Sequence, residues 1–344
     1  MTTQAAPIVV QGTPVGTAER DSSLDRYTTS ADLYSIKRGV LNGFPAPFLL
    51  QGLNGPCPLL AICNVLLMRG VITLPEDSVD AKFDVLVERL GNLLLERNKA
   101  SESNAALRST LNDSVSILGS LNKGLDVNVR FTAVDAFEHS RELSIFDLLD
   151  VRVYHGWIVS EDDLSAYPYL SPLTYNQAIE KVVAYDTIKT RALETGNFDQ
   201  TAEERQIIEE GEAIANWLET NSRQLTSDGI IELNAHMKED ELGVLFRNNH
   251  FSVVYKRGGR LFGLVTDVGF RSSSIMWESI DQLDGDTAYL DANFSPSGPT
   301  EQTAGPNESD YEMALRLQYE QQPPRDPRNI QEPHAQQCCA CTVM

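Results

Sequence analysis

Two short stretches carry residues whose types could do nucleophilic chemistry. The first is Gln51-Gly52-Leu53-Asn54-Gly55-Pro56-Cys57-Pro58, a polar turn that stops at a cysteine and is followed by an apolar run from Leu59 to Met68, closed by Arg69-Gly70. Asn54-Gly55 is a turn signal, Pro58 suits the first turn of a helix, and Gly70 suits its C-terminal cap. The pattern predicts a buried helix with Cys57 at its N-terminus. There the unpaired backbone N–H groups and the helix dipole favour a thiolate, the form of cysteine that attacks. Gln51, six positions upstream of Cys57, carries a side-chain amide of the kind that stabilises an oxyanion in acyl transfer. An isolated cysteine in an apolar run is as readily a packed hydrophobe, which is the reading for Cys63 in the same helix.

The second stretch, Phe246-Arg247-Asn248-Asn249-His250-Phe251-Ser252-Val253-Val254-Tyr255-Lys256, supplies a base. The residues after His250 read as a strand, Arg257-Gly258-Gly259-Arg260 as a hairpin turn, and Leu261 to Thr266 as the partner strand. His250 is thus expected where a loop enters a central hairpin, with Asp267 seventeen positions on, at the far end of the second strand. Papain-like cysteine hydrolases place a nucleophile at a helix start and a histidine on a strand, often with an orienting Asn or Asp on the next strand. Cys57, His250 and Asp267 occur in that order.

The sequence resembles the MINDY family of deubiquitinating cysteine proteases. The resemblance rests on Asn54 to Ile62, on Gly124-Leu125-Asp126-Val127-Asn128-Val129-Arg130-Phe131, and on Phe146-Asp147-Leu148-Leu149 with Tyr154-His155-Gly156-Trp157. Arg247 to Ser252, Val265-Thr266-Asp267 with Gly269-Phe270, and Trp277-Glu278-Ser279 complete it. The resemblance implies that Cys57 is the nucleophile, His250 the base and Gln51 the oxyanion-hole residue, in an α+β, papain-like cysteine protease variant. It also implies hydrolysis of polyubiquitin, with preference for long lysine-48-linked chains. Where the family usually has Asn after that glutamine, this chain has Gly52.

The remaining composition narrows the field. A net charge of −21 over 344 residues argues against nucleic acid and anionic lipid as electrostatic partners. Five cysteines, three of them in the last seven residues, make no disulfide framework, and neither a CxxC…CxxC arrangement nor an HExxH is present to support a metal or other cofactor. Without a signal peptide or a membrane-length apolar run, the expected location is cytoplasmic, with a membrane-associated variant considered below.

Residues 1–30 are expected to be disordered, with a catalytic domain over 31–295. Phe83 to Lys99 has helical spacing, Leu107 to Gly119 suggests a further helix, and Val127, Val129 and Phe131 alternate as in a strand. Tyr175 to Ala184 and Thr201 to Thr220 read as helices, Glu203-Glu204 and Glu209-Glu210 as a solvated face, and His155 as a satisfied structural histidine. An exposed Trp or Tyr in this middle region could grip ubiquitin, and the sequence does not single one out. Ala288 to Asp291 suggests a last strand. A Pro-, Ser- and Gly-rich linker over 296–307 then leads to a short amphipathic segment, 308–322. Tyr311, Ala314, Leu315 and Gln318 share a stripe of that segment, and it resembles the family's ubiquitin-interacting motif. The tail, 323–344, ends Cys338-Cys339-Ala340-Cys341-Thr342-Val343-Met344. Its last four residues fit a prenylation signal at Cys341, with Cys338 and Cys339 as sites for palmitoylation. Two alternatives to an enzyme stand beside this reading, a catalytically inactive ubiquitin-binding adaptor and a membrane-tethered scaffold.

Overall fold

The computed structural model describes residues 33–52, 57–97, 117–119, 121, 125–280 and 288–298. The chain divides into Met1–Gly298 and Pro299–Met344, and the second unit lies outside the described residues. In chain order the first unit contains β1 Leu33–Leu41, β2 Phe44–Leu49, α1 Cys57–Met68, β3 Asp80–Lys82, α2 Phe83–Arg97, α3 Ser144–Leu148 and β4 Val153–Tyr154. Then come α4 Tyr167–Leu170, α5 Tyr175–Thr195, α6 Ala202–Thr220, α7 Ser227–His236, β5 Leu242–Arg247, β6 His250–Arg257, β7 Arg260–Leu264, β8 Trp277–Ser279 and β9 Tyr289–Leu290. The class is α+β, as expected. One sheet runs β2-β1-β3, the other β4-β5-β6-β7-β8-β9, and all pairs are antiparallel except β4–β5.

Apart from Asn64, helix α1 is apolar around its whole circumference, so it cannot lie on a surface. Every residue from Pro58 to Met68 is buried, and the helix lies against β2, β5 and β6. Leu59, Leu60, Ile62, Val65, Leu66 and Leu67 are each at most 2% exposed, and each such side chain contributes on the order of 2 kcal/mol by leaving water. The helix stops at Gly70, whose φ is +67°. The Gly70 N–H donates to Leu67 O at 3.0 Å and the Val71 N–H to Leu66 O at 2.9 Å, the pair of bonds that ends a helix through a left-handed residue.

Helices α5 and α6 form a hairpin. Each starts with a reciprocal cap, Thr174 with Gln177 and Thr201 with Glu204. Helix α5 runs on to Thr195, well past the Ala184 expected from periodicity. Its turns face α6 through Lys181–Glu210 and Arg191–Glu204 ion pairs, so two of the glutamates expected to be merely solvated join the helices. Helix α2 spans Phe83–Arg97 and buries Leu86, Leu90 and Leu94. Most of the helix expected over 107–119 lies outside the described residues.

The alternating Val127, Val129 and Phe131 do not form a strand. Their backbone bonds are divided among several segments: Glu138 N–H to Asn128 O at 2.8 Å, Arg130 N–H to Ala136 O at 2.9 Å, Tyr175 N–H to Val129 O at 2.9 Å and Val159 N–H to Phe131 O at 3.0 Å. The Tyr154–Trp157 block is structural. Trp157 packs among Phe131, Trp217 and Tyr175, and the chain's three tryptophans, Trp157, Trp217 and Trp277, are all buried. That leaves no exposed tryptophan in the middle region to meet ubiquitin. His155 is buried as expected for a structural residue. The Trp157 N–H donates to its Nδ1 at 3.2 Å and its Nε2 lies 3.2 Å from Ala136 O, which fixes the proton on Nε2. Beside it, the Thr226 hydroxyl caps α7 by accepting the Gly229 N–H at 3.0 Å and donates to Ile158 O at 2.9 Å. Gly229 is needed for this approach, because a Cβ there would lie 1.9 Å from Gly156 O.

Candidate active site

His250 is the first residue of β6, directly across from Arg247 at the end of β5. The turn between them, Asn248-Asn249, has φ of +50° and +57°, the left-handed pair a two-residue hairpin requires and asparagine tolerates. His250 therefore stands where a chain turn enters the β6–β7 hairpin, as expected, and that turn is a tight two-residue one that also joins it to β5. The turn is anchored from outside: Arg247 Nε donates to Arg223 O at 2.7 Å and the Asn248 N–H to Gln224 Oε1 at 2.8 Å. The next turn, at Gly258 and Gly259 with φ of +58° and +70°, is the one expected.

The β6–β7 ladder splits beside His250. Lys256 exchanges backbone bonds with Asp240 and Glu241, on the β5 side, so alternate residues of β6, Phe251 among them, direct their N–H groups toward β7. On the other strand, Leu261 O and Val265 N–H bond to Ile280 and Met276, which leaves Thr266 facing β6. The register that pairs Val254 with Gly263, carried three positions further, would join Phe251 to Thr266. Instead Thr266 O accepts the Gln51 N–H at 2.6 Å, the Val268 N–H donates to Gln51 O at 3.1 Å, and Gln51 runs parallel to Asp267. The Phe251 N–H, released from the ladder, is directed at the Cys57 sulfur. Gln51 and Cys57 thus converge on the mouth of the split, and His250 adjoins it in the chain. Helix α1 begins at Cys57, as expected.

Two contacts brace this arrangement. Lys37 Nζ donates to Phe270 O at 2.7 Å and Ile275 O at 2.5 Å, which holds the segment that carries Thr266. Phe251 stacks on Phe146 with ring centroids 5.7 Å apart and packs on Phe246 at 4.9 Å. Phe146 also lines a polar cleft of about 260 Å³ with Asp135, Glu138, Asp147 and Arg152.

The charge states depart from expectation. Burial pushes the Cys57 thiol up from its ordinary value, and the N–H groups of Phe251 and Cys57 itself only partly oppose it. No acidic residue stands in the first turn of α1. His250 keeps an open side to solvent, while the packing around its other side lowers its pKa by desolvation. Burial thus favours the thiol over the thiolate at Cys57, and desolvation favours the neutral imidazole at His250. The thiolate expected from the helix terminus alone is outweighed by loss of water. Among the described residues no hydrogen bond joins the Cys57 sulfur to the His250 imidazole. Asp267 does not orient His250. Its Oδ1 accepts the Gly269 N–H at 2.6 Å, capping the short turn Val268–Phe270, and Gln51 takes the place beside it in the ladder.

Sequence reasoning missed the Phe251 N–H and Thr266 carbonyl, which no side-chain pattern reports. It also missed Asn64, an amide inside the apolar run of α1, which was a visible signal. Tyr311, Ala314, Leu315, Gln318, Cys338, Cys339 and Cys341 lie outside the described residues.

A cysteine thus stands at a buried helix start, a glutamine is paired into the end of a sheet and a histidine heads the adjoining strand. The chain belongs to the MINDY deubiquitinase family, whose profile matches residues 32–294. It is 37% identical over 308 residues to ubiquitin carboxyl-terminal hydrolase MINDY-1 of Rattus norvegicus, covering 85% of this chain and 61% of that protein. To MINDY-1 of Homo sapiens it is 37% identical over 267 residues, 76% of this chain and 54% of that one. To MINDY-2 of Mus musculus it is 39% identical over 287 residues, 80% of this chain and 45% of that one. The chain spans about half the length of the relatives it matches.

Proposed function

We propose that this chain is a thiol-dependent deubiquitinase acting on polyubiquitin and ubiquitinated proteins. The observation that carries the reading is the split between β6 and β7, with Gln51 held in it, Cys57 facing it and His250 beside it. In the reaction, His250 takes the Cys57 proton as sulfur attacks the carbonyl carbon of ubiquitin's C-terminal glycine. The carbonyl electron pair moves to oxygen, where the Gln51 amide and a backbone N–H stabilise the charge. The tetrahedral species collapses, the C–N bond to the lysine amine breaks, and the imidazolium returns its proton to that amine. Water, deprotonated by His250, then cleaves the thioester and restores the thiol. Because burial favours the neutral form of both sulfur and imidazole, substrate binding has the task of closing them onto each other.

The finer reading is a preference for long lysine-48-linked chains. The segment 308–322 would hold further ubiquitins through Tyr311, Ala314, Leu315 and Gln318, so that affinity grows with chain length. Lipidation of Cys341, Cys338 and Cys339 would tether an otherwise cytoplasmic enzyme to membrane. Chains of defined linkage and length, digested by wild type and by Cys57→Ala, test the proposal. Cleavage by wild type alone, fastest on long lysine-48-linked chains, is expected. Binding without cleavage by wild type would replace the enzyme with an adaptor.

A further inference from the structure

We infer that Asn64 is a positioning residue that fixes Gln51 relative to Cys57, an inference that rests on the catalytic reading of those two residues. Asn64 is fully buried, the one amide in a helix otherwise built of apolar side chains, proline, Cys57 and Cys63. A buried amide is retained at a cost unless both its ends are bonded. Both are: Oδ1 accepts the Leu49 N–H at 2.7 Å and Nδ2 donates to Leu49 O at 3.0 Å. Leu49 needs these partners. The Leu50 N–H bonds to Ser35 O on the β1 side at 2.8 Å, so the N–H and C=O of Leu49 point the other way, off the edge of the sheet and into the core. The Asn64 side chain does there what another strand would do.

The position of this clamp matters more than its existence. Leu49 is two residues before Gln51, and Asn64 is seven residues after Cys57, two turns along the same face of α1 and about 10 Å down its axis. Two oppositely directed bonds fix both the height and the rotation of the strand end against the helix. One side chain therefore sets the chain that delivers Gln51 against the helix that presents Cys57. Oxyanion stabilisation falls off with displacements of a fraction of an ångström, so a loosened clamp affects turnover before it affects substrate binding.

The test uses the full chain with Asn64→Leu and Asn64→Asp. It reads kcat and KM on lysine-48-linked ubiquitin chains and, separately, the rate at which iodoacetamide alkylates Cys57, which depends on the thiol and not on an oxyanion site. For Asn64→Leu the expected result is a kcat at least tenfold lower, with KM and alkylation each within twofold of wild type. A neutral carboxyl offers one donor and one acceptor, as the amide does, and loses the donor on ionisation. Asn64→Asp is therefore expected to have near-wild-type kcat at the acid end of its range and to lose it as pH rises, a titration that wild type lacks. It decides the matter if Asn64→Leu does not fold. Folded variants with full kcat at every pH would overturn the inference, as would a kcat loss matched by an equal loss of alkylation. Activity in Cys57→Ala would instead overturn the catalytic reading itself, while inactive Cys57→Ala beside fully active Asn64 variants would sink only the clamp.

Discussion

His155 should make the fold lose stability in mild acid, by an amount the structure allows to be worked out. The residue is 1% exposed, and burial pulls its pKa from 6.5 down to about 4, against weaker opposing contributions from Ala136, Ala133 and Asp135. Above pH 6.5 the imidazole is neutral whether the chain is folded or not, and its contribution is fully present. Below that the unfolded chain takes up a proton that the folded one refuses, so stability falls until the folded pKa is reached. The whole span corresponds to on the order of 3 kcal/mol, of which about 1.4 kcal/mol is lost by pH 5.5. Many carboxylates titrate in the same range, so the measurable quantity is a difference. Urea unfolding of wild type and His155→Gln, followed by tryptophan fluorescence from pH 7.5 to 5.5, stays clear of the isoelectric point near 4.6. The gap in unfolding free energy between the two should shrink by about 1.4 kcal/mol over that span. A gap that stays constant, or widens toward acid, would refute a buried neutral imidazole at this position.

Cys57 should be alkylated by iodoacetamide with a rate that climbs through pH 8 without levelling, because burial holds its thiol above the ordinary 9.0; a plateau below pH 7 would mean a resting thiolate. Gly229→Ala should lower the melting temperature, with a loss of about 3 kcal/mol, since the new Cβ meets the Gly156 carbonyl and no flexible side chain stands between them. An unchanged melt would show that α7 can shift freely.

What the sequence made legible was local. The start of α1 at Cys57 and its end at Gly70 followed from proline, glycine and an unbroken apolar run, and Gly258-Gly259 named its own turn. Periodicity stopped short on α5 because the residues after Ala184 are mostly polar and exposed. There the helix is carried by Ile188 and Ala192 and by the Arg191–Glu204 pair with α6. At Val129 and Phe131 alternation was present without a ladder, because the partners that claimed their backbone groups lie in separate, irregular segments. The site was legible as residue types and order only. That Gln51 displaces a ladder bond between Phe251 and Thr266 depends on contacts some two hundred residues apart in sequence. The sign of the Cys57 shift depends on burial, which a helix start does not report.

The most direct test of the central claim is intact-mass analysis after incubation with ubiquitin bearing a C-terminal alkyne electrophile, with the adduct mapped by peptide sequencing. One ubiquitin per chain is expected on Cys57 in wild type, with slower labelling in Gln51→Ala and His250→Ala and none in Cys57→Ala. An adduct on another cysteine, or labelling that survives Cys57→Ala unchanged, would contradict it.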